Sequence, residues 1–116
     1  MLREKATPEA LLNMSLLEDE LRGEMAVVLG RMDAKLKEKM KIMEEANSQV
    51  YAVLARPFRD VPALLEVVKI FNDAQEQAYQ ARLDLIVQRQ SAGFVQNNYH
   101  LIMQRYPIPP KKRVRL

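Results

Sequence analysis

Apolar residues fall at helical intervals over most of the chain. The first series is Leu11, Met14, Leu17, Leu21, Met25, Val28, Met32, Leu36, Met40, Met43, Ala46, Val50 and Leu54. Its mean step is about 3.6 residues, the repeat of one helix face. No proline interrupts the run between Pro8 and Pro57. Thr7 offers a capping hydroxyl, Pro8 suits a first helical position, and Glu9 suits the positive end of the helix dipole. The pattern predicts a helix over about residues 8–55.

Residues 56–61 then read as a corner. Pro57 disfavours helix at Arg56, Asp60 can cap a following helix, and Pro62 is tolerated in its first turn. The second series runs through Leu64, Val67, Phe71, Ala74, Ala78, Ala81 and Leu85. Helical spacing resumes beyond Gly93 at Val95, Tyr99, Ile102 and Tyr106. Gly93 can end this helix as a left-handed cap, which would give three helices. A helix continuing over 62–106 nearly matches the first in length and gives each long apolar stripe a partner. Mid-helix glycine costs only about 1 kcal/mol, so the continuous helix is the favoured expectation.

The fold class that follows is all-α, a long antiparallel helical hairpin of coiled-coil character over residues 1–106. With its turn near Phe58, facing residues have numbers that sum to about 116. Two rods bury little surface alone, which predicts association into a larger helical bundle.

One face of the first helix departs from the usual surface. Opposite the stripe of Leu21, Met25, Val28 and Met32 lie Gly23, Ala26, Val27, Gly30 and Ala34, where an exposed back normally carries Glu, Lys and Gln. A hairpin cannot cover both sides, so these five residues are the candidate partner interface, docking a helix from a second copy or another subunit. The methionines Met14, Met25, Met32, Met40 and Met43 fit an irregular core. Seven glutamines between Gln75 and Gln104 make the second helix polar but weakly charged, suited to fixing register or lining an interface.

Charge changes the picture at the C-terminal end. The 116 residues carry a net +3, yet all fifteen acids lie at or before Asp84. The last ten residues hold Lys111, Lys112, Arg113 and Arg115 with no acid. Pro107, Pro109 and Pro110 make this segment extended and, by expectation, a flexible tail. It has the pattern of a short nuclear localisation signal, an extended basic strand for acidic pockets on an import receptor. It also suits an anion-binding arm, or simply a solubilising end. The lysines of 35–41 read as a solvated face.

Catalytic chemistry lacks its usual parts. Cysteine is absent, which excludes thiolate metal sites and cysteine nucleophiles, and His100 is the single histidine. No glycine-rich phosphate loop is present. No enzyme activity, cofactor or metal site is therefore expected. No apolar run approaches the ~20 residues of a membrane span, and the first ten residues, with Glu4 and Glu9, lack a secretory core. The expectation is an intracellular chain, nuclear where the cell has a nucleus and otherwise cytoplasmic. The function expected is a non-catalytic helical scaffold or adaptor that assembles proteins. Two alternatives stand behind it: a nucleic-acid-associated factor using the basic end with Tyr99, Arg105 and Tyr106, and a small export chaperone with a methionine-lined groove.

Overall fold

The computed structural model describes residues 8–116, with side chains described at Leu16 and from Asp19 onward. Thr7 lies outside the described residues, as do the side chains of Leu11, Met14 and Leu17. Three helices follow one another: α1 (Pro8–Leu54), α2 (Val61–Ser91) and α3 (Asn98–Arg105). Helices α1 and α2 form an antiparallel hairpin within a rod of 83 × 22 × 17 Å. Among the described residues, no helix is long and apolar enough to cross a membrane.

The corner forms as its residues dictate. Asp60 caps α2 by accepting the Ala63 N–H at 3.2 Å, and Pro62 sits in the first turn, where its missing donor costs nothing. The Arg56 guanidinium bonds Asp60 at 2.8 Å across the turn. Register follows the facing rule: the Lys39 ammonium donates to the Gln77 side-chain carbonyl at 2.8 Å.

Two apolar clusters fill the hairpin. Near the turn, Met43, Ala46, Val50 and Val53 of α1 meet Leu64, Val68, Phe71, Ala74 and Ala78 of α2. Farther out, Leu36 meets Ala81, Leu85 and Ile86, with Ile102 and Tyr106 joining from the C-terminal part. Leu54, which the 3.6-residue series puts on the buried face, is exposed, and its neighbour Val53 is buried instead. Met43 is buried and Met32 and Met40 half-buried, while Met25 is exposed.

The structure corrects the second helix. It does not continue to residue 106 but ends at Ser91. Gly93 takes φ +97°, and its N–H bonds the Gln90 carbonyl while the Phe94 N–H bonds that of Arg89. This is a Schellman end, in which a left-handed glycine satisfies the last carbonyls of the helix. The Arg89 guanidinium lies 4.7 Å from the Phe94 ring centroid, covering the turn from the helix side. Helix α3 then folds back along α2.

The last ten residues are corrected as well. They are extended, as their prolines require, and they lie against the hairpin rather than detached from it. They run from Tyr106 toward the hairpin turn, against α1 and α2, with Ile108 and Val114 packed on the turn-side cluster.

Candidate interaction surfaces

The first surface is the end of α1 that outruns α2. With 47 residues against 31, α1 is longer by roughly 24 Å at the usual helical rise. Ser91 and Ala92, at the end of α2, border Leu21, Met25, Val28 and Leu29 around an open groove of about 310 Å³. Burial on α1 therefore fades within the apolar series itself. Leu36 is 0% exposed, whereas Leu21 is 48% and Met25 44% exposed. The candidate interface residues Gly23, Ala26, Val27, Gly30 and Ala34 are all exposed in this stretch. A Cβ added at Gly23 or Gly30 would meet nothing within 4 Å. No intramolecular packing accounts for either glycine.

The second surface is the junction of α2, α3 and α1. The buried Asn98 starts α3 by donating to the Ile86 carbonyl at 2.9 Å and accepting from the Arg89 guanidinium at 2.8 Å. The buried Arg82 donates to the Tyr106 carbonyl at 2.9 Å. The Tyr106 hydroxyl donates to Asp33 of α1, whose carboxylate also pairs with Lys37 at 3.1 Å. Burial acts to raise the Asp33 carboxyl, but the bonds from Tyr106 and Lys37 outweigh it and hold the group below its ordinary value. Burial, together with the bond to the Asp33 charge, pushes the Tyr106 phenol above its own. His100 stands exposed beside this junction with its ring edge-on to Tyr99.

The third surface holds the basic segment. The Asn72 side chain bonds both backbone groups of Lys112, accepting its N–H at 2.8 Å and donating to its carbonyl at 2.9 Å. Gln75 donates to the Pro109 carbonyl at 3.1 Å, and the Arg59 guanidinium donates to the Arg115 carbonyl. Of the four candidate cations, Lys111 pairs with Glu76 at 2.6 Å. Lys112 lies over the rings of Phe71 and Tyr51, 4.8 and 5.4 Å from their centroids. Arg113 and Arg115 are exposed.

Sequence reasoning does not single out Asn72, Asn98 or Arg82, three polar residues that attach the C-terminal part to the hairpin. Their signal is faint but present. Arg82 lies between Ala81 and Leu83, and Asn72 and Gln75 lie beside the Phe71–Ala78 seam, where a hairpin alone has no use for hydrogen-bonding side chains. No protein-family model, curated protein or solved structure matches the chain.

Proposed function

We propose that this chain is a non-catalytic helical assembly subunit, and that it joins a second copy of itself through the N-terminal half of α1. The observation that carries the proposal is the exposed face of small residues on α1, Gly23, Ala26, Val27, Gly30 and Ala34, which nothing in the hairpin covers and whose two glycines no packing within one copy requires. Charge along α1 favours a second copy. Residues 8–24 carry Glu9, Glu18, Asp19, Glu20 and Glu24 against Arg22, net −4, while residues 31–41 carry five bases against Asp33 and Glu38, net +3. An antiparallel pair with its twofold axis near Val27 sets each block against the opposite block of the other copy. A parallel pair sets like against like. The same axis brings Gly23, Ala26, Val27, Gly30 and Ala34 of both copies together, where small side chains permit close approach.

The other readings draw less support. The nucleic-acid reading uses Tyr106, whose ring is buried and whose hydroxyl is engaged by Asp33. The export-chaperone reading needs an open methionine groove, and Met43 is buried beneath α2.

Light scattering tests the proposal. The wild-type chain is expected at twice its monomer mass at micromolar concentration, and Gly30→Arg as a monomer with unchanged helical circular dichroism. The space around Gly30 accommodates the side chain within one copy. A monomeric wild type, or a Gly30→Arg dimer, sinks the reading.

A further inference from the structure

The groove that holds residues 107–116 recognises them in three ways at once. Amide side chains read the backbone: Asn72 takes both polar groups of Lys112 and Gln75 takes the Pro109 carbonyl. An acid and two aromatic rings read the cations, Glu76 on Lys111 and Tyr51 with Phe71 under Lys112. Apolar positions read Ile108 and Val114, both packed on the turn-side cluster, with Val114 beside Val50, Leu64 and Val68. Backbone clamping, cation pairing and spaced apolar contacts are the chemistry by which any protein binds an extended basic peptide.

We propose that this groove is an intramolecular receptor for the basic segment, and that an acidic segment of another protein engages residues 109–115 only after they leave it. The two states exclude one another because Asn72 occupies the backbone of Lys112 and the rings of Tyr51 and Phe71 cover its ammonium. Arg113 and Arg115, exposed in the docked state, are the first handles for the partner. The docked state is also poised for release. Its Lys111–Glu76 pair faces solvent on both sides, where ion pairs contribute little. The Gln75 Oε1 atom is buried with no donor, and its hydration on release offsets part of the lost contact. A protein partner fits better than phosphates. Three prolines hold the segment extended with its peptide groups available, which suits backbone recognition, whereas phosphate binding requires only charge. The proposal is independent of the α1 pairing surface.

The test uses the full-length chain and Asn72→Ala, with Glu76→Lys as a second, solvent-facing variant that cannot disturb the core. Two readouts are taken under native conditions: the rate of tryptic cleavage after Lys112, and affinity for a polyglutamate peptide and for a short DNA duplex. Apparent affinity scales with the fraction of chains whose segment is released, so Asn72→Ala is expected to raise both cleavage and polyglutamate affinity by about tenfold, and Glu76→Lys, which loses only an exposed ion pair, by about two- to fivefold. The light-scattering mass is expected to stay as in wild type. Unchanged cleavage and affinity in both variants overturn the proposal. Faster cleavage with unchanged polyglutamate affinity overturns it too, because docking would then not limit binding. A gain for the duplex with none for polyglutamate overturns the choice of a protein partner.

Discussion

The two ends of α1 share one apolar period and differ in nearly everything else. Around Val50, the helix is one of three layers, with α2 opposite and the C-terminal segment across both. Around Leu21 it stands past the end of α2, and residues of the same stripe are half exposed. Periodicity therefore specifies which face of a helix is able to be buried, and the length of the neighbouring helix decides whether it is. A stripe that continues past its intramolecular partner marks a surface in need of another one.

The comparison breaks most visibly under truncation. Phe71→Ala removes a fully buried ring from the turn-side cluster and is expected to cost about 3–5 kcal/mol in chemical denaturation. Leu21→Ala, on the same type of stripe, is expected to change the stability of the dilute chain by less than about 0.5 kcal/mol. Equal costs would mean that the projecting end is covered within one copy.

A middle-sized effect belongs to the junction. Tyr106→Phe removes the hydroxyl that bonds Asp33 and is expected to cost about 1.5 kcal/mol, the scale of a hydrogen bond to a charged group. Its pH signature has a definite sign. Asp33 is held below its ordinary 3.8, so its contribution is complete above that pH and drains away as pH falls through the lowered folded value. Tyr106 is raised above its ordinary 10.0, so its contribution is complete below that pH and is lost as pH rises through the raised folded value. Thermal melts across pH check both limbs. Tyr106→Phe should flatten the alkaline one, and an unchanged alkaline limb would place the effect elsewhere.

The smallest effects sharpen the contrast through two glycines. Neither Gly30 nor Gly93 has anything within 4 Å of an added Cβ, so only backbone conformation distinguishes them. Gly30→Ala, in regular helix, should stabilise the dilute chain by up to about 1 kcal/mol. Gly93→Ala, at φ +97°, should destabilise it by about 1 kcal/mol. Matching signs in denaturant titrations would contradict the Schellman end of α2.

Much of this arrangement was legible from residue order. The stripe of α1, the corner at Asp60 and Pro62, and the α2 seam from Leu64 to Leu85 are local matters of period, capping and proline geometry. The end of α2 was not. Gly93 reads equally as a tolerated interior glycine and as a left-handed cap. The choice falls to Asn98 on the Ile86 carbonyl and to Ile102 and Tyr106 entering the middle cluster, contacts that a continuous helix could not make. Nor did proline and lysine announce where residues 107–116 lie, because their binding groove exists only once Tyr51 of α1 and Phe71 and Asn72 of α2 are side by side.

The sequence by itself determined an all-helical hairpin with its turn between Leu54 and Val61, because helix period, caps and breakers act over a few residues. Tertiary structure alone decided where the second helix stops, where the basic segment is held and which part of α1 is left uncovered. Those outcomes depend on polar and apolar groups tens of residues apart meeting in space, and no local pattern records such a meeting.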